Sequence, residues 1–434
     1  MFNLIILAYD YPPYNSVGAL RPASWAEYLT KDNIQVTVVS RNWTQIDFND
    51  EYFYIRGNEN LEISTKNNLT IIKTPFKPSI ANKIALKFGM NRFKIIRKII
   101  TSLYSIIEFY RPIGPKRPIY SNARSILEKE KFDLIIATGE PFATFYYAYK
   151  LSKEFHIPWA ADYRDLWTET RYKLNPILKY MMQIRERKII SNTSFIITVS
   201  ENLKNIIEKK CKKEILIVKN GFDEVPFKKQ NQDENKLIIS LAGAIYEWHP
   251  IESVLNIISR LDSNLIQLNF YGLNKEIEIK KTIENDFPHL LKQVNFHKRI
   301  PVQELLCEMS KAHFLLLFND YSILGTKIFN YLKTQRNILL CYTEDDNSNV
   351  LKERFFPDKT LLSYASNLQQ QLLLDLNSGL CIKNENELFY ILKQNLVHFQ
   401  KFGTVHDYST KKDISFLSRD RQSLILKNKI LSLN

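Results

Sequence analysis

Short apolar runs alternate with helical patterns along nearly the whole chain. Leu4–Ala8, Val36–Val39, Leu134–Ala137, Trp159–Ala161 and Phe195–Val199 are almost wholly apolar. Runs of that length and composition predict strands covered on both faces. Between them, stretches such as Arg21–Thr30 and Pro141–Phe155 carry apolar residues at helical spacing. The alternation restarts after residue 230, with Leu237–Leu241, Leu265–Tyr271, Val294–Phe296, Phe314–Phe318 and Ile338–Tyr342 as the new strands. Strands and helices in turn predict an α/β fold of two doubly wound domains, with ligands at the carboxyl ends of the strands, facing each other across a cleft. The expected division is 1–226 for the first domain, 237–413 for the second, and a polar linker over 227–236. In 414–434, Ile414, Phe416, Leu417, Leu424, Ile425, Ile430 and Leu431 predict a last helix with no strand after it, packing back across the domain boundary. No fixed-period repeat is present.

Composition narrows the class. At 434 residues, 45% hydrophobic and 12% aromatic, the chain can bury two substantial cores, which excludes a disordered protein. The formal net charge of +14 calls for an acidic partner such as nucleic acid, anionic lipid or a phosphorylated ligand, or else marks only a solvated surface. The four cysteines, Cys211, Cys307, Cys341 and Cys381, are scattered, without metal-ligand spacing, as expected of thiols in a reducing compartment. The apolar start Met1–Ala8 lacks a basic leader and runs into Tyr9-Asp10-Tyr11-Pro12-Pro13, so it reads as a first strand and not a signal peptide. No apolar run reaches membrane-spanning length. The expected location is cytoplasmic, and an enzyme acting on lipid would sit on the membrane surface.

Five segments carry candidate chemistry. The loop Tyr11–Pro22, with two prolines and Gly18, leads into a helix near Arg21; helix-start amides and the arginine fork can hold anionic oxygens, or the segment is an ordinary strand-to-helix turn. Asp162-Tyr163-Arg164-Asp165 follows a buried strand at its carboxyl end, where catalytic groups gather; the alternative is an Arg–Asp pair capping a loop. Asn220-Gly221 is a strong turn signal. Gly243 ends the first strand of the second domain, where a ligand can approach closely. Gly325-Thr326-Lys327 opens a helix after the strand at 314–318, offering amides and a lysine to a diphosphate. Its order is not that of a Walker loop.

In sequence, these segments resemble the retaining GT-B glycosyltransferases of family four, in their bacterial surface-polysaccharide form. The resemblance rests on the Pro-Pro loop with Gly18, Arg21 and Pro22, on Arg164-Asp165-Leu166-Trp167, on Thr198-Val199-Ser200-Glu201 with Asn220-Gly221-Phe222-Asp223, and on Gly325-Thr326-Lys327-Ile328-Phe329-Asn330-Tyr331-Leu332. It implies two Rossmann-like domains, a nucleotide sugar held mainly by the second and an acceptor held mainly by the first. It also implies retention of configuration without a metal or cofactor, the leaving diphosphate being met by Lys327 and the amides of Gly325 and Thr326. On this reading Asp165 and Arg164 are catalytic, and Gly18, Arg21, Gly243, Arg299, Gly325, Thr326, Lys327 and Asn330 bind the donor. The chain departs from the family where two glutamates are usual: Ser322 and Asn330 stand there. An amide can still accept from a ribose diol through one oxygen. The basic pair usual after the second-domain glycine is also absent. Arg299 is a substitute cation or a plain surface arginine.

Lys83–Tyr110 interleaves Lys83, Lys87, Arg92, Lys94, Arg97 and Lys98 with isoleucines, leucine and phenylalanines. Such a segment can lie on an anionic leaflet, or pack its apolar side on the first domain. The expected partners are therefore a nucleotide sugar, a lipid-linked or glycan acceptor and the inner face of the plasma membrane. No basic and aromatic pattern tracks a nucleic-acid strand. The competing functions are a catalytically weakened scaffold homologue and a non-hydrolysing sugar epimerase.

Overall fold

A computed structural model describes residues 1–14, 16–44, 52–169, 176–261, 263–320, 324–345, 350, 368–409 and 412–433. The chain divides into two compact units, Met1–Lys219 with Asp420–Asn434, and Asn220–Arg419.

The first unit is built on an eight-stranded sheet in the order β3-β4-β2-β1-β5-β6-β7-β8. Its strands are β1 Phe2–Ala8, β2 Ile34–Arg41, β3 Glu62–Lys66, β4 Leu69–Thr74, β5 Leu134–Gly139, β6 Trp159–Tyr163, β7 Phe195–Thr198 and β8 Ile215–Ile217. All neighbours are parallel except the β3–β4 pair. The helices are α1 Val17–Leu29, α2 Ile80–Phe88, α3 Lys94–Ile107, α4 Arg117–Leu127, α5 Ala143–Phe155, α6 Pro176–Ile190 and α7 Glu201–Glu208. Both faces of the sheet are covered, which is why β1 is apolar at every position but one. Leu4 and Ile6 pack with Trp25 of α1 and with Leu426 and Ile430 of the last helix. Ile5 and Leu7 pack with α4 and α5 on the other face.

The second unit carries six parallel strands in the order β11-β10-β9-β12-β13-β14. These are β9 Leu237–Ala242, β10 Ile266–Tyr271, β11 Val294–His297, β12 Phe314–Phe318, β13 Asn337–Cys341 and β14 Leu380–Ile382. Its helices are α8 Ile251–Leu261, α9 Glu276–Asp286, α10 Val302–Met309, α11 Lys327–Thr334, α12 Leu368–Leu376 and α13 Glu385–Phe402. The last helix, α14 Arg419–Leu431, returns to the first unit. The sheet order is the Rossmann one, with the switch point between β9 and β12.

Several local readings change. The helix expected near Arg21 begins at Val17, because Ser16 caps it by accepting from the Ala19 N–H at 3.1 Å. Gly18 and Arg21 therefore both lie inside α1. The segment 227–236 is not a free linker but part of the second unit's surface. Gln230 N–H donates to Ser310 Oγ at 2.9 Å, and Gln232 Nε2 donates to the Ala312 carbonyl at 2.9 Å. The terminal helix starts at Arg419, preceded by a 3-10 turn over Ser415–Leu417. Asn220–Asp223 clips onto that turn: Phe222 pairs with Ser418, and a Cβ on Gly221 would meet the Leu417 carbonyl at 2.2 Å. The stretch Lys83–Tyr110 is two helices, broken at Gly89 with φ +88° and Phe93 with φ +54°. Arg97 is not one of its surface cations. Its guanidinium ties α3 to α2 through the carbonyls of Ala81 at 3.2 Å and Met90 at 2.7 Å. α3 buries no residue at all. No helix among the described residues is long and apolar enough to cross a membrane.

Candidate functional site

In the second unit the candidate site residues gather at the carboxyl ends of β9 and β12. β9 ends at Ala242, and the chain turns at Gly243, whose φ of +79° favours glycine. Lys327, the first residue of α11, reaches back to that turn. Its Nζ donates to the Ala244 carbonyl, and a Cβ on Gly243 would come within 3.2 Å of Lys327 Cε. Burial pulls the Lys327 ammonium down to about 8, with Asp320 acting in the opposite sense. Among the described residues no side chain caps α11, so its N-terminal amides are available to an anion. Gly325 and Thr326 precede it, partly exposed. Asn330, on the same helix, is partly exposed, and its amide makes no hydrogen bond among the described residues.

Arg299 is exposed at the end of β11, lying over Gly272, where a Cβ would meet Arg299 Cβ at 3.2 Å. It lies at the same carboxyl edge of the sheet as Lys327, which follows β12, three strands along in the sheet order. Ser322 lies outside the described residues.

Beside Lys327 stands a pair that sequence reading missed. His249 Nε2 and Trp248 Nε1 converge on Asp320 Oδ1 at 2.8 and 3.1 Å. The Tyr246 N–H donates to His249 Nδ1 at 3.1 Å, which assigns the proton to Nε2 and makes the ring a donor to Asp320. Burial lowers the His249 pKa and keeps it neutral, while Asp320 opposes that shift. The Asp320 N–H is in turn held by Gln369 Oε1 at 2.7 Å. The one available signal was Asp320's place just after a buried strand. His249 lies too far away in sequence to be paired with it by inspection. The lysine is thus a cation held near a carboxylate oriented by two donors, Trp248 Nε1 and His249 Nε2.

In the first unit the ends of β1, β5 and β6 converge. Arg164 follows β6 and donates to the carbonyls of Gly139 and, at 2.6 Å, Glu140. Gly18 makes room for it: a Cβ there would stand 2.0 Å from Arg164 Nη1 and 2.8 Å from Asp10 Oδ2. Asp10, at the end of β1, was not singled out from sequence. Burial raises its carboxyl to about 6, against the pull of Arg164 and Arg41. Such a group exchanges a proton near neutral pH. Asp165 is exposed beside this cluster. Arg21 is not in it. Its side chain is buried, its Nη2 and Nε reach Asp162 at 2.9 and 3.1 Å, and its Nη1 donates to the Val218 carbonyl at 2.7 Å. Burial raises the Asp162 carboxyl and Arg21 opposes the shift. This pair joins α1 to β6 and β8. Thr198 and Ser200 likewise serve the scaffold, Thr198 bonding the Tyr163 carbonyl at 3.0 Å and Ser200 capping α7. Among the described residues, no group of three or more His, Cys, Asp or Glu is placed to hold a metal.

Comparison with known proteins agrees with this architecture. No curated protein matches the chain by sequence. The sucrose-phosphate synthase of Thermosynechococcus elongatus superposes with a TM-score of 0.58 at 11% identity, over 100% of this chain and 95% of that one. HepE of Anabaena, solved with UDP and glucose, gives 0.54 at 10% identity, over 100% and 97%. A UDP-N-acetylglucosamine 2-epimerase gives 0.50 at 12% identity, over 100% and 96%. The sequence model of Glycosyltransferase Family 4 matches residues 23–225. The chain therefore has the GT-B fold of two parallel-sheet, Rossmann-like units, and most of its first unit is similar to the Glycosyltransferase Family 4 domain.

Proposed function

We propose that the protein is a glycosyltransferase that moves a sugar from a nucleotide-sugar donor to a lipid-linked or polysaccharide acceptor in cell-surface polysaccharide synthesis. The observation that carries this reading is the contact of Lys327 with the Gly243 turn beside the uncapped start of α11. It gathers a cation, helix-start amides and a bare glycine backbone at a switch point, where a diphosphate fits. The similarity of residues 23–225 to Glycosyltransferase Family 4 supports transfer to an acceptor, and the UDP in HepE suggests a UDP-sugar as donor. In this reading Lys327 and the amides of Gly325 and Thr326 neutralise the leaving diphosphate without a metal, and configuration is retained. Asp165 and Arg164 stand on the acceptor side. Asp10 holds or releases a proton beside them. The exposed cations Lys83, Lys87, Arg92, Lys94 and Lys98 bring the first unit to the anionic inner face of the plasma membrane.

Thermal unfolding tests the donor class directly. A UDP- or GDP-sugar at one hundred times its dissociation constant should stabilise the folded protein by about 2.7 kcal/mol. Neither nucleotide family moving the midpoint would sink the reading. Donor turnover that consumes no acceptor would favour an epimerase, and nucleotide binding without turnover a scaffold.

The unengaged amide of Asn330 gives a second result. Asn330→Glu supplies a carboxylate acceptor for the ribose diol, so nucleotide affinity should hold or rise. A well-folded variant that loses nucleotide binding, followed by titration calorimetry, would show that Asn330 does another job.

A further inference from the structure

Between Tyr163, the last residue of β6, and Thr168 runs the loop Arg164-Asp165-Leu166-Trp167. Both ends of that loop are tied to one carboxylate. Glu186 of α6 accepts through Oε1 from the Tyr163 hydroxyl at 2.9 Å and through Oε2 from the Thr168 hydroxyl. Lys210, just past α7, donates to the same Oε1 at 2.7 Å and also pairs with Glu169, the next residue along the chain. Tyr163, Thr168 and Glu186 are fully buried, and the Lys210 side chain is 7% exposed.

A carboxylate taken out of water is costly unless its oxygens are met by donors. Here the donors come from the end of β6, from the loop beyond it and from the chain after α7. Well-packed apolar side chains of similar volume often stabilise a fold as well as a buried ion pair does, so stability alone does not account for the arrangement. What the carboxylate adds is direction. Two hydroxyls and an ammonium point at one group, which holds the two ends of the loop at a fixed separation.

The loop carries both acceptor-side groups. Asp165 is exposed, so the backbone on either side of it, and not a core, aims its side chain. Arg164 spans to the neighbouring loop through the Gly139 and Glu140 carbonyls. Trp167 stacks on Phe142, with ring centroids 5.3 Å and planes 2° apart. These contacts fix the middle of the loop, and Glu186 fixes its ends. A misplacement of about 1 Å in a reacting group can cost roughly a hundredfold in rate.

We propose that Glu186 is a positioning residue for the transfer reaction: by holding Tyr163 and Thr168 together it aims Arg164 and Asp165. The inference deepens the reading of a glycosyltransferase and rests on it. Glu186 is buried and acts only through the loop.

Glu186→Gln keeps the volume but removes the charge and one acceptor oxygen. It should lower kcat for transfer about tenfold or more and leave the KM for the nucleotide sugar unchanged. Thr168→Val keeps the shape and loses the hydroxyl, and should lower kcat in the same way. Thr168→Ser should keep most of the rate. Where Glu186→Gln fails to fold, the Thr168 pair reads the same contact. Leu426→Ala is the control, since it opens the core on the other face of the sheet. Its unfolding midpoint should fall and its kcat should not. Hydrogen exchange over 164–169 gives a readout that needs no substrate. It should quicken about tenfold or more in Glu186→Gln, with β1 and β5 exchanging as in the wild type. An unchanged kcat in folded Glu186→Gln, or unchanged exchange in the loop, overturns the proposal. So does a Thr168→Ser as slow as Thr168→Val, since volume and not the hydroxyl then decides. A Leu426→Ala as slow as Glu186→Gln overturns it too, because destabilisation alone would explain the loss. Faster loop exchange in a protein that binds no nucleotide sugar would keep the clamp and remove the transferase reading.

Discussion

Arg21→Ala should cost the protein about 3–5 kcal/mol of stability, the usual penalty for removing one partner of a buried ion pair. Asp162 has no exposed side-chain surface and would be left facing an empty site among β-strands. The Val218 carbonyl would lose its partner in the same step. The midpoint of the first unit should fall by roughly 6–20 °C. Arg21→Lys keeps the charge but not the fork, and should recover only part of that loss. The pH dependence separates charge from packing. In the alanine variant Asp162 has a folded pKa above its unfolded value, so the folded state binds the extra proton. Stability must then fall as pH rises through that interval, and the deficit against wild type should shrink in acid. Urea titrations across that range read it directly. A loss below 1 kcal/mol, independent of pH, would mean that the pair is solvated.

Lys327→Ala should lower nucleotide-sugar turnover by about a hundred- to a thousandfold, the typical effect of deleting one preorganised charge beside a departing oxyanion. The fold should survive, since the lysine lies at a helix start and its main internal bond is to one carbonyl. Its depressed pKa gives the test a second arm. With the free site titrating at about 8, a bound diphosphate favours the ammonium and raises that value. Nucleotide affinity in the wild type should therefore decline as pH rises through about 8, with net proton uptake on binding. Calorimetry in buffers of different ionisation enthalpy would show the uptake, and the alanine variant should lack it. Unchanged turnover in a folded variant would remove Lys327 from the site.

The buried strands were readable in sequence because both faces of each central sheet are covered, leaving runs such as Leu237–Leu241 with almost no polar position. The β3–β4 hairpin was not. Glu62-Ile63-Ser64-Thr65-Lys66 is exposed at every residue on the sheet edge, so burial leaves no mark on its composition. The three-residue strands β8 and β14 are too short for any period. Sequence singled out Gly243 and Lys327 separately, as a glycine and a cation after buried strands; that the lysine folds back onto the glycine turn is seen only in the structure. Arg21 misled for the complementary reason: sequence shows a guanidinium but not its direction, and this one points inward to Asp162. The His249–Asp320 and Asp10–Gly18–Arg164 groupings depend on long-range folding, joining residues 71 and 154 positions apart at the extremes.

The return of α14 to the first unit also sets an order of assembly. Leu426 and Ile430 complete a core whose other members, from Phe2 to Val218, are synthesised much earlier. At about 5–20 residues per second, a ribosome needs roughly 10–40 s to make the intervening Asn220–Arg419 unit. Throughout that interval the first unit to emerge stays unfinished, with Phe195 and Val218 missing their cover. The second unit has all of its chain before the first does, and the nascent protein closes its earliest core last.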